Sequence, residues 1–220
     1  MKPLTLGYCP VGHGSSPLDD VFKYKQDVSK VGFAGVDAVV FWGGQDIHPS
    51  LYHHSPSKYT QAGPGPSHRD IFEWNAMKYC KLHKIPMIGI CRGAQMLCAA
   101  AGGWLIQHVT SHNNGSHSMI TSDGVVMNTT SAHHQMLYPF DVNHIVLAKA
   151  SHPLSHVYLN GYDTEVDMKG KPEIEAVWFP DIRGLGIQGH PEWVGNDSEY
   201  AKYCNDLVRE YVLELVDVSC

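Results

Sequence analysis

The sequence predicts an α/β layer fold, a parallel sheet covered by helices on both faces. Short apolar runs that read as strands alternate with segments of helical periodicity along the first half of the 220-residue chain. Two of those runs end abruptly, one at Gly43-Gly44 and one at Cys91, as strands do when they reach the rim of a sheet. With 43% hydrophobic and 17% charged residues the chain has the balance of a globular protein and enough length to bury a substantial core.

In order, Leu4 to Tyr8 is a short apolar strand. Leu18 to Val31 places Val21, Tyr24, Val28 and Val31 at helical spacing, so a helix is predicted there with Gly32 as its stop. Val36 to Trp42 is a second strand. Residues 46 to 68 hold Pro49, Pro56, Pro64 and Pro66 and read as a long loop. Arg69 to His83 is predicted helical, Pro86 to Ile90 a third strand, and Arg92 to Ala101 a helix stopped by Gly102-Gly103. Strands are predicted over 124–128, 144–149, 173–179 and 184–188, and a closing amphipathic helix over 198–216. No repeat or linker interrupts the chain, so a single domain over residues 1–220 is expected.

Sixteen Lys and Arg against 22 Asp and Glu give a formal charge of -6, which argues against bulk attraction to nucleic acid. No apolar run approaches the roughly 20 residues needed to cross a bilayer, and the N-terminus lacks the pattern of a signal peptide. Six cysteines without a C-x-x-C pair suit reduced thiols, so a cytoplasmic protein is expected. Fifteen histidines raise the question of a metal. His48, His53, His54 and His68 share one loop and His108, His112 and His117 another, but neither set has the spacing of a zinc motif. The expectation is no metal and no cofactor.

The chemistry concentrates at Pro86-Met-Ile-Gly-Ile-Cys-Arg-Gly-Ala-Gln95. An apolar strand runs into Cys91 and a helix begins at once, with Gly89 and Gly93 two residues to either side. A sharp strand-to-helix turn crowds its neighbours, so flanking glycines are what a nucleophile elbow needs. A sulfur placed at a helix N-terminus is expected to favour the thiolate. A thiol that attacks an amide requires a base and a group to orient that base. Gly186-Ile-Gln-Gly-His-Pro-Glu-Trp193 supplies His190 and Glu192 directly after a strand. Backbone donors for an oxyanion are expected from Gly44 and Arg92.

Six motifs in order, namely 43–52, 69–73, 89–95, 102–107, 131–135 and 186–192, resemble the class I glutamine amidotransferase superfamily, and within it the γ-glutamyl-γ-aminobutyrate and γ-glutamyl hydrolases. The resemblance implies a flavodoxin-like three-layer sandwich with a central, mostly parallel sheet. It also implies a Cys91–His190–Glu192 triad forming a γ-glutamyl thioester that water releases, with Gly43, Gln95, His133, His134 and Gln135 lining the glutamyl pocket. Gln95 stands one helical turn from Cys91, which suits that role. The sequence departs from the family in passing almost directly from Val31 into Val36, which leaves room for one sheet element fewer, and in having Gly189 where a bulky aromatic is usual. The substrate expected is a small γ-glutamyl amide or glutamine. The alternatives are a glutaminase subunit serving a separate synthetase and a catalytically silent binding protein of the same fold. An oligomer is compatible with either enzyme reading.

Overall fold

The computed structural model describes residues 3–9, 11 and 15–214. Its strands are β1 (Thr5–Tyr8), β2 (Tyr24–Asp27), β3 (Ala38–Phe41), β4 (Met87–Ile90), β5 (Trp104–Ile106), β6 (His108–Val109), β7 (Gly115–Thr121), β8 (Val126–Ser131), β9 (Met136–Tyr138), β10 (Ile145–Ala150), β11 (Tyr158–Leu159), β12 (Ile174–Phe179) and β13 (Gly184–Ile187). The helices are α1 (Val28–Val31), α2 (His68–His83), α3 (Arg92–Ala100) and α4 (Glu199–Leu207). Nine strands form one mixed sheet in the order β2-β1-β3-β4-β13-β12-β10-β7-β8. From β2 to β13 every neighbouring pair is parallel, and from β13 to β8 every pair is antiparallel. The expected parallel sheet is therefore the half that carries the site. The antiparallel half was only partly foreseen, because β7 is a polar run without an apolar signature.

Every residue of β3, β4, β12 and β13 is buried, as befits strands covered on both faces. Side chains alternate across the sheet. Val40, Trp42, Ile88 and Ile90 point into a core closed by Tyr200, Cys204 and Leu207 of α4. Val39, Phe41 and Met87 point into the opposite core, closed by Met77 and Cys80 of α2 and Met96 and Leu97 of α3. Two helices on one face and one on the other make the three layers.

The helix predicted over Leu18 to Val31 does not form. Pro17–Asp20 makes one 3-10 turn, Tyr24–Asp27 extends as β2 beside β1, and only Val28–Val31 is helical. The periodic positions do not share one buried face: Val28 is buried, whereas Tyr24 is 52% and Val31 66% exposed. Pairing with the outer edge of β1 instead satisfies a row of backbone groups. Asp27 then caps α1 by accepting from the Ser29 N–H at 3.0 Å, and Gly32 ends it at φ 76° as predicted. β2 lies at the edge of the sheet, ahead of α1 and outside the passage from Val31 into Val36. The closing helix begins at its Ser198 cap and widens into π turns over Val208–Leu213, while the predicted end at 215–216 lies outside the described residues. Among the described residues no helix is long and apolar enough to cross a membrane.

Candidate active site

At the carboxyl end of β4 the backbone turns through Cys91 at φ 51°, ψ -106° and enters α3. A non-glycine residue at positive φ is strained, and strain of this kind is typical of nucleophile elbows. The flanking glycines are steric requirements. A Cβ on Gly89 would lie 2.5 Å from the carbonyl group of Gly93, and a Cβ on Gly93 would overlap the Phe41 carbonyl oxygen of β3. The Cys91 N–H donates to the Ile187 carbonyl at 2.8 Å, which ties the elbow to the end of β13.

The sulfur's environment differs from the expectation of a favoured thiolate. Cys91 is 5% exposed, and burial pushes its thiol up to about 12. The Arg92 N–H at the start of α3 acts in the expected direction, but desolvation outweighs it, and the carboxylates of Glu192, Asp46 and Glu175 add to the rise. Burial thus favours the thiol over the thiolate at Cys91 in the free protein.

His190 arrives from the neighbouring strand. β13 pairs in parallel with β4, Ile187 opposite Ile90, so both chains leave the same sheet edge side by side. His190 Nδ1 donates to Glu192 Oε1 at 2.7 Å, which leaves Nε2 as the ring's basic atom. The His190 N–H donates to Thr130 Oγ1 at 2.5 Å, and the imidazole stacks on Trp193 at 3.7 Å with 2° between the planes. Among the described residues no hydrogen bond joins the Cys91 sulfur to this ring. The smallness of Gly189 has a local cause: a Cβ there would strike the Tyr200 hydroxyl and Thr129. Tyr200 of α4 fills the space that an aromatic at 189 would need.

Gly43-Gly44 follows β3 at the same edge. Gly43, expected to line the glutamyl pocket, lies against the His190 ring: a Cβ on it would stand 2.5 Å from Cε1. Arg69 holds this strap from behind, donating from Nη1 to the Gly43 carbonyl at 3.0 Å and from Nη2 to the Trp42 carbonyl at 2.7 Å. Its Nε donates to Glu73 Oε1 at 2.8 Å. Glu73 also binds Arg92, whose other guanidinium nitrogen donates to Asp70 Oδ1 at 2.5 Å. Two cations and two anions thus join the first turns of α2 and α3 to the strap, with Asp70, Glu73 and Arg92 all buried. The Arg92 side chain is wholly engaged in this network, and its N–H faces the sulfur. Sequence reading noted Arg69 to Glu73 as a motif but not its purpose; the i,i+4 Arg–Glu spacing on a helix was the available signal.

The expected pocket residues separate into two groups. Gln95 is buried and donates to the Gln135 carbonyl at 3.2 Å and to Gln188 Oε1 at 3.5 Å, so its amide is turned inward and braces the elbow helix. His133 is buried too, and its Nδ1 donates to the Gln135 carbonyl at 2.8 Å. Burial, assisted by the neighbouring His112, pushes the His133 imidazole well below the usual range, so it is neutral. His134 and Gln135 converge on Asp46, which the sequence marks as part of the 43–52 motif without a role of its own. His134 Nε2 lies 3.0 Å from Asp46 Oδ1, Gln135 Nε2 2.9 Å from Oδ2, and the Gln61 N–H donates to Oδ2 at 2.7 Å. Asp46 borders a polar cavity of about 430 Å³ whose wall includes Gly44, Gln61, Arg69 and Arg92.

A strained cysteine elbow on a parallel strand, beside a His–Glu pair from the next strand, defines a class I glutamine amidotransferase domain. The family model described as Peptidase C26 matches residues 20–192, and the chain belongs to that family. A Schizosaccharomyces pombe protein provisionally named a glutamine amidotransferase is 35% identical over 76 residues, covering 34% of this chain and 30% of that one. A carbamoyl phosphate synthase small chain of Xanthomonas axonopodis pv. citri is 33% identical over 130 residues, covering 59% of this chain and 29% of that one. This chain thus spans about a third of the length of such curated relatives. A glutamine amidotransferase structure from Thermotoga maritima aligns over 98% of this chain and 91% of its own, with TM-score 0.58 and 14% identity, which shows a common fold.

Proposed function

We propose that the chain is a cysteine-dependent hydrolase of γ-glutamyl amides, working as one domain in the cytoplasm on a small molecule, without nucleic acid, membrane or cofactor. The observation that carries this reading is the placement of Cys91 at a strained elbow on β4 with the Glu192-held His190 at the end of the adjoining β13. Substrate seats its γ-carbonyl over the sulfur. His190 Nε2 takes the thiol proton as sulfur attacks, and the charge on carbonyl oxygen is met by the N–H groups of Gly44 and Arg92. The imidazolium, stabilised by Glu192, then protonates the departing amine. Water, deprotonated by the same imidazole, cleaves the γ-glutamyl thioester and restores the thiol. A resting thiol near 12 fits this order, since proton removal is coupled to attack rather than preceding it.

Asp46 is the group placed to receive a glutamyl α-ammonium, with His134 and Gln135 orienting its carboxylate. The Arg69 side chain is already engaged with the strap and so positions the oxyanion donors. A panel of γ-glutamyl amides that includes free glutamine, followed by mass spectrometry, tests the reading. Cleavage that disappears in Cys91→Ala while the circular dichroism spectrum stays the same supports it; undiminished cleavage in that variant refutes it.

A second reading has one observation in its favour, the similarity to a carbamoyl phosphate synthase small chain. In it the chain releases ammonia from glutamine for a separate synthetase. Turnover by the isolated protein distinguishes the first reading from one that needs a partner.

A further inference from the structure

We propose that His112, His133 and Glu175 form a buried site for a divalent transition metal of the zinc type. The residues come from three separate places: the bend before β7, the turn after β8, and β12. They are 0%, 5% and 2% exposed, and their candidate ligand atoms lie within 4.8 Å of one another.

Each of the three is anchored at one end and unpartnered at the other. His112 Nε2 stands 3.1 Å from Glu173 Oε2, and His112 Nδ1 is buried without a hydrogen bond. His133 Nδ1 donates to the Gln135 carbonyl, and its Nε2 is buried without one. Glu175 Oε1 accepts from His117 Nε2 at 2.8 Å, and its Oε2 is likewise unpartnered. A carbonyl only accepts, so the Nδ1 of His133 carries a proton, and the unpartnered Nε2 is the atom that faces the cluster. Glu173 selects the Nε2–H tautomer of His112 in the same way, leaving the lone pair on Nδ1. An imidazole whose far nitrogen is bound to a carboxylate or carbonyl is the arrangement that orients histidine toward a metal.

Two imidazole nitrogens and a carboxylate are a borderline-soft set that suits zinc and its neighbours rather than calcium or magnesium. Bonds of about 2.0–2.2 Å in a tetrahedral site place ligand atoms roughly 3.4 Å apart. The candidate ligand atoms lie within 4.8 Å of one another, so the cluster must contract by up to about 1.4 Å to close on an ion. A proton shared between two of these atoms serves the cluster less well, since the third would still be without a partner. The site eluded sequence reading because its ligands come from distant segments, with no short motif among them.

The test uses the full chain stripped of metal with a chelator, in wild type and in Cys91→Ala, so that a failed hydrolase assignment and a failed metal assignment read out separately. Zn²⁺ is titrated in competition with a chromophoric chelator, and Co²⁺ is added to a second sample for its visible spectrum. The expected result is one tight equivalent in both proteins, a Co²⁺ band of four-coordinate intensity, and a raised Tm on adding Zn²⁺. His133→Ala and Glu175→Gln should each weaken binding at least about 100-fold, as loss of a ligand exceeds the 10–100-fold typical of an outer-shell partner. The exposed His152→Ala should leave it unchanged. His112→Gln, with folding checked by circular dichroism, covers the case in which a buried alanine unfolds the protein. Wild-type protein that binds no more tightly than scattered surface histidines, or tight binding indifferent to all three ligand changes, overturns the proposal.

Discussion

Gly43→Ala isolates the geometry of His190, the proposed base, from every other part of the site. The backbone at Gly43 is not in the left-handed region, so alanine is conformationally acceptable and the only new element is its methyl group. That methyl would sit 2.5 Å from Cε1 of His190, whereas carbon atoms in contact settle at about 3.5–4.0 Å. The imidazole must therefore retreat by about 1 Å, against the restraints of Glu192 at 2.7 Å and the Trp193 stack at 3.7 Å. A misplacement of about 1 Å costs on the order of 100-fold in rate, equivalent to about 2.7 kcal/mol of barrier. Overpacking of this kind should also destabilise the fold by about 1–3 kcal/mol. The assay pairs kcat for the best substrate of the γ-glutamyl panel with a urea melt, and Gly65→Ala is the control, since a methyl there would meet nothing within 4 Å. A folded Gly43→Ala protein with kcat within about threefold of wild type, against the about 100-fold expected, would show that the ring does not act from this position.

Three further outcomes are expected. Gly93→Ala should fail to fold or lose more than the about 1–3 kcal/mol of ordinary overpacking, because its methyl would overlap a backbone carbonyl of β3 that cannot yield; a soluble variant with wild-type Tm would contradict this. Arg69→Met should release the Trp42 and Gly43 carbonyls and leave a buried Glu73 short of one partner, lowering kcat by about 10–100-fold as charged hydrogen bonds of about 1.5–3 kcal/mol are lost, with KM changing less; steady-state kinetics with a thermal melt would check it. Burial raises the thiols of Cys80, Cys91 and Cys98 from 9.0 to about 12. Their protonated forms are favoured only in the folded state, so stability is fully present below pH 9 and falls as pH rises toward 12. Denaturant melts across that range should show the decline, and a flat profile would refute it.

What the sequence determined by itself was local: the apolar strands β1, β3 and β4, the elbow demanded by Gly89 and Gly93, and the His190-Pro191-Glu192 pair two residues apart. These follow from short-range sterics and side-chain period, which neighbours in the chain impose on one another. Only the tertiary structure decided what depends on distant partners. Tyr24–Asp27 became a strand because the edge of β1 was open to it, overriding a helical period that leaves Tyr24 and Val31 exposed. Gly43 proved to be the floor under His190, Asp46 the meeting point of His134 and Gln135, and Arg69 the brace of the glycine strap. The thiol's protonation was likewise settled by burial, a property of the whole fold, against the helix terminus visible in the sequence. His112, His133 and Glu175 share one interior because the sheet folds them together, and spacing along the chain holds no trace of it.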